Sequence, residues 1–148
     1  MASYLKEIEN YIPKLKTINE EVSHKGVDWH LDHTLKVING INKTLQNSDP
    51  SEYKSNFSFL RTVFLTFNFL PRGKGKAPSR VLPPAHISEE DLRTQLEQAY
   101  TSLQNNHDVP QKAYFKHPMF GMMPKKMAIK FIALHTRHHL KIIRDILK

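Results

Sequence analysis

The chain has 148 residues, a length at which one domain can bury a core without disulfides or a structural metal. With 39% hydrophobic and 24% charged residues it is too apolar to be disordered throughout. It has no cysteine, which excludes disulfides, thiolate metal sites and cysteine nucleophiles, so a transition metal must sit on His, Asp or Glu.

A net charge of +8 suits nucleic acid, an acidic surface or a small anion. The basic residues are spread along the chain, however, without interleaved aromatics or a reading helix, which argues against a nucleic-acid partner. Near the N-terminus, Lys6, Glu7 and Glu9 interrupt the apolar residues, unlike a signal peptide. No run reaches the roughly 18 apolar residues of a membrane span. The expectation is therefore one domain over residues 1–148, cytoplasmic and with no membrane partner.

Helical periodicity dominates, and no alternating run between turn signals predicts a strand. The first helix is predicted over residues 3–22, from Leu5, Ile8, Ile12, Leu15, Ile18 and Val22, with Pro13 as a kink or break. Gly26 marks a boundary. A second helix follows over 28–46, with Asp28 as N-cap and His30, Thr34, Val37, Ile41 and Leu45 on one stripe. The segment 50–70 opens Asp49-Pro50-Ser51-Glu52 and carries Phe57, Phe59, Phe64, Phe67 and Phe69, which predicts a shorter helix packed into the core.

Residues 71–85 hold four prolines, two glycines and the basic run Arg72, Lys74, Lys76 and Arg80, and read as a crossover loop. Ser88, followed by Glu89, Glu90 and Asp91, starts a third long helix ending near Leu103. A loop over 105–121 precedes the last helix, from about Pro124 to Leu147. This order predicts an all-α fold: a four-helix bundle with long crossover loops and an additional short helix.

The last helix carries the clearest chemical signal. Ala128, Ile132, His135, His139, Ile142 and Ile146 alternate steps of four and three along a core-facing seam, while Arg137, Lys141 and Arg144 fall opposite. His138 lies at the seam's edge. Histidines one turn apart on one face can converge on a metal; two buried imidazoles can also satisfy each other or a carbonyl. A third ligand should come from the facing second helix, which offers Trp29-His30-Leu31-Asp32-His33. Spacing alone slightly favours His30, with Asp32 a weaker candidate and His33 at the stripe's edge.

Taken together, Trp29-His30-Leu31-Asp32-His33-Thr34-Leu35, His117-Pro118-Met119-Phe120-Gly121 and His135-Thr136-Arg137-His138-His139-Leu140 resemble the DinB-like (DinB/YfiT-like) superfamily of metal-binding helical bundles, in an uncharacterised branch. The resemblance runs from about Val27 to Ile146. It implies that His33, preceded by Leu31, joins His135 and His139 as metal ligands, and so moves the choice from His30 to His33. Relatives often carry a polar residue three places after the last ligand, where this chain has Ile142. That departure puts a contact to ligand or substrate in doubt.

His117 precedes the ligand helix in a loop that either fixes its own shape by a hydrogen bond or meets a substrate. His30 and His138 are expected beside the ligands, where they support them or meet a substrate, and His24, His86 and His107 carry no signal. Three neutral imidazoles leave a coordination position open, the layout of a catalytic site. Zn²⁺ suits them best, and Ni²⁺ or Fe²⁺ is also accepted.

The resemblance further implies a metal-dependent enzyme, a thiol-dependent transferase or a hydrolase, acting on a small molecule. A low-molecular-weight thiol would be its cosubstrate, and Arg72, Lys74, Lys76 and Arg80 would attract that thiol's carboxylates. A non-catalytic metal- or ligand-binding bundle is the alternative, and a homodimer is compatible with either.

Overall fold

A computed structural model of the chain describes residues 1–73, 75 and 77–148. In chain order its elements are helix α1 (Ala2–Tyr11), α2 (Val27–Asn47), α3 (Phe59–Phe67), α4 (Glu89–Asn105), strands β1 (Tyr114–His117) and β2 (Gly121–Pro124), and α5 (Lys125–Ile146). The fold is mainly helical with one small two-stranded sheet.

α1 is shorter than its periodicity suggests. Pro13 has no amide hydrogen and collides with the preceding turn, so the helix ends at Tyr11 and tightens into a 3-10 turn, Ile12–Lys14. The chain then doubles back: Val27 N–H donates to the Thr17 carbonyl at 2.9 Å and Asp28 N–H to that of Leu15 at 3.0 Å. Ile18, on the expected stripe, is exposed. Gly26 rather than Asp28 occupies the N-cap of α2, and Asp28 sits in the first turn, where its carboxylate favours the helix dipole.

Pro50 starts only a 3-10 turn, and α3 begins later, at its cap Ser58, whose hydroxyl accepts from Arg61 N–H. The expectation that the phenylalanine-rich segment packs into the core fails. Phe57, Phe59, Phe67 and Phe69 are all more than 60% exposed, and α3 turns inward mainly Leu65 and Arg61. Ser88 and Asp91 form a complete capping box at the start of α4, as their spacing predicts.

The region expected to be an irregular loop between α4 and α5 contains the hairpin. β1 and β2 pair antiparallel with Phe115 opposite Met123 and His117 opposite Gly121. Each strand has four residues, too short for alternation to declare itself. Gly121 takes a positive φ of 72°, and a Cβ there would lie 2.3 Å from Asn56 Nδ2. Asn56 also accepts from Met122 N–H at 2.8 Å. Arg61, buried, donates from one nitrogen to the carbonyls of Phe120 and Met122, both at 2.9 Å, and from the other to that of Asn56. A guanidinium in the interior must have its donors satisfied, and here main-chain oxygens do so.

α2 is the central element: it packs along both α4 and α5, and α1 covers the other side of the same pair. Leu31, Leu35, Ile38 and Leu45 of α2 meet Leu92 and Leu96 of α4 and Ile132, Leu140 and Ile143 of α5 in one core, completed by Leu5 and Ile8 of α1. Contact on two sides buries every residue from His30 to Leu35. That burial brings the second helix's histidines against those of the last.

Candidate metal centre

His33, His135 and His139 come together between α2 and α5, each offering a ring nitrogen such that all three atoms lie within 4.8 Å of one another. Three histidines so placed could hold a divalent metal ion. His33 and His139 are buried and His135 is half-buried. The His33 and His135 Nε2 atoms face each other at 3.3 Å. This is about the nitrogen separation of two ligands around a tetrahedral ion with bonds near 2.05 Å.

The His33 ring is oriented from outside the cluster. Its Nδ1 lies 2.9 Å from the Val81 carbonyl, which can only accept, so Nδ1 carries the proton and Nε2 presents a lone pair to His135. The Trp29 ring stacks on His33 at 4.8 Å between centroids and holds the imidazole plane. The His135 Nδ1 atom is buried and has no hydrogen-bond partner among the described residues. At Nε2 this ring meets the lone pair that His33 presents, and the donor set, three imidazoles without thiolate or carboxylate, suits a borderline divalent ion.

His30 is equally buried but faces elsewhere. Its Nδ1 lies 3.0 Å from His139 Nδ1 and its Nε2 lies 3.1 Å from Ser23 Oγ. When His139 is the donor in that pair, its Nε2 is free to ligate, and His30 passes the hydrogen-bond chain on to Ser23. Asp32 is turned toward α4: it accepts from Gln95 Nε2 at 2.8 Å and pairs with Lys36 at 2.7 Å.

The electrostatics favour neutral rings. Burial pushes the pKa values of His135 and His139 well below the usual imidazole value, and the neighbouring histidines push the same way. Burial lowers that of His33 too, opposed by its bond to the Val81 carbonyl, and takes His30 down to about 4. Neutral imidazole is the ligating form.

The other histidines serve neighbouring structure. His117 Nδ1 accepts from Met119 N–H at 3.1 Å, closing the hairpin turn, and its ring stacks on Phe120 at 4.4 Å and meets Phe131 edge-on. Burial lowers its pKa to about 4. His138 sits edge-on to His139 at 5.1 Å and lines a groove of about 300 Å³ with Phe69, Leu70, Arg72, Arg137 and Lys141.

Arg72 pairs with Asp145 at 2.6 Å, whereas Arg80 lies over the Phe115 ring, so these two cations are held on different elements. Lys74 and Lys76 lie outside the described residues. A second depression, of about 460 Å³, is lined by Trp29, Lys16, Asp28 and Pro83. Neither depression is lined by the three histidines; His138 in the first and Trp29 in the second are lining residues that touch them.

Sequence reasoning missed Ser23 and Val81. A carbonyl carries no sequence signal, and a serine seven residues before His30 is unremarkable until the turn over 15–26 folds it back. Trp29 was visible in the motif, but its stacking was not.

No curated protein and no solved structure matched the chain. A family model described as a protein of unknown function (DUF1569) matches residues 4–145, and the chain belongs to that family.

Proposed function

We propose that the protein is a single-domain metalloprotein in which His33, His135 and His139 hold one divalent metal ion, zinc by preference, and that it works as a metal-dependent enzyme on a small molecule. The observation that carries the reading is the orientation of His33: Nδ1 is occupied by the Val81 carbonyl, so its ligating nitrogen faces the two histidines of α5. We further propose that the family is a branch of the DinB-like superfamily and that α1, α2, α4 and α5 form its four-helix bundle. The mutual packing of those four helices supports this.

A bound ion would supply Lewis acidity and would lower the pKa of a water or a thiol at its open position. The chain's own contribution is orientation and exclusion of water. Trp29 and Val81 fix His33, His30 with Ser23 fixes His139, and Phe131, which meets His117 edge-on, packs beside His135. A thiol-dependent transferase or a hydrolase both fit this arrangement. The lining of the two depressions favours a second reading, a non-catalytic bound metal, because none of the three histidines lines either of them.

Metal analysis of untagged protein tests the site. One equivalent of divalent metal is expected in the wild type and in His30→Ala, with occupancy lost in His33→Ala, His135→Ala and His139→Ala. Full occupancy in all three of the latter would sink the assignment. Activity screening of the loaded protein with small thiols and electrophiles then separates enzyme from binder.

A further inference from the structure

We propose that the outward face of α3 is a self-association surface that seats the same face of a second copy of this chain. α3 is apolar nearly all round, yet it is covered on one side only. With about 100° per residue, Phe59, Leu60, Val63 and Phe67 fall within one arc of the helix, opposite the buried Arg61 and Leu65. Phe59 is 69% exposed, Leu60 45% and Phe67 74%. Phe57 and Phe69, at the two ends of the segment, are exposed as well. A helix with this composition is ordinarily buried, so one face lacks its partner.

Charge selects the occupant. In residues 57–70 the only charged side chain is Arg61, and it is turned inward onto the carbonyls of Phe120 and Met122. Two copies that each carry +8 repel each other overall, and a face that bears no charge adds least to that repulsion at contact. An acidic protein or an anionic bilayer would instead be met by cations within the patch; the arc from Phe59 to Phe67 bears none, and Arg72, Arg137 and Lys141 stand only at its edge, around Phe69.

Area agrees. At 150–250 Å² per phenylalanine, the five side chains Phe57, Phe59, Leu60, Phe67 and Phe69 expose roughly 600 Å². That lies at the upper end of the largest apolar patch on an ordinary monomer. With Val63 and the flanking threonines Thr62 and Thr66 it approaches the ~800 Å² that each partner contributes to a standard stable interface. A two-fold dimer requires a patch that complements itself, and a charge-free aromatic face meets that requirement.

This inference is independent of the metal. Light-scattering mass measurement of the full chain, from low to high micromolar concentration, is expected to give twice the 17.3 kDa of one chain. The double variant Phe59→Asp/Phe67→Asp should give the single-chain mass with an unchanged helical circular dichroism spectrum.

Because the chain has no cysteine, a single Phe67→Cys substitution provides a second readout. Under a mild thiol oxidant it should form a disulfide-linked dimer at least tenfold faster than Thr101→Cys, a control exposed on α4. A monomeric wild type at every concentration, or a double variant that stays dimeric, would overturn the proposal. Wild type that is monomeric and pellets with phosphatidylglycerol vesicles would reassign the face to a lipid surface.

Discussion

The two histidines of α2 differ in what their second nitrogen meets. His33 has a carbonyl behind it and His30 has Ser23, reached through the turn that folds back before α2. If His30 steadies His139 by hydrogen bonding, His30→Ala should keep the metal but bind it about 10–100-fold more weakly, as measured by chelator competition. Unchanged affinity would show that the His30–His139 bond does not steady the ligand.

His117 provides a test at the same scale. Its folded pKa is near 4, below the ordinary value, so its contribution to stability is fully present above about pH 6.5 and is lost as pH falls toward 4. Protonation would remove the acceptor for Met119 N–H and put a charge among Phe115, Phe120 and Phe131. Between pH 7 and 5 the wild type should lose about 1–2 kcal/mol more stability than His117→Asn, seen as a steeper fall of Tm with pH. Parallel curves would refute it.

At the scale of elements, the helices with capping and seam signals were legible. The Ser88–Asp91 box placed the start of α4, and the three-and-four spacing on α5 identified buried residues Ala128, Ile132, His139, Ile142 and Ile146. Spacing slightly favours His30, the nearer to the centre of the apolar stripe, but α2 is enclosed by two helices and buries both histidines, so the stripe does not separate them. The resemblance pointed to His33, the one that stands with His135 and His139.

Hydrophobicity misled at α3, where an apolar helix remains half uncovered, and four-residue strands gave no alternation to read. The hairpin nonetheless leaves one strong sequence mark, Gly121. Replacing it with Ala forces a side chain into the left-handed region and against Asn56. The expected cost is about 2 kcal/mol, or a Tm lower by about 4–8 °C in thermal melts. A shift under one degree would mean that Asn56 yields freely.

Across the whole molecule, the proposed ion would join the central helix to the last one, so its removal should be felt globally. Chelation is expected to lower Tm, and readdition of zinc at 100 times its Kd should restore about 2.7 kcal/mol. His135→Ala should melt at one temperature with or without chelator. A wild type equally indifferent to chelator would separate the site from the fold.

The grip of Arg61 has a different kind of consequence. It holds the hairpin through the carbonyls of Phe120 and Met122 and the segment before α3 through that of Asn56, so it reads the path of the main chain and not the identity of the side chains. The tip at Pro118 and Met119 lies outside that grip, and Met119 is exposed. Pro118 and Met119 are therefore free to change over evolutionary time while Phe120, buried in the core, and the turn's position against α3 stay fixed. Gly121 and Asn56, whose backbone and amide define that path, are where such drift should stop.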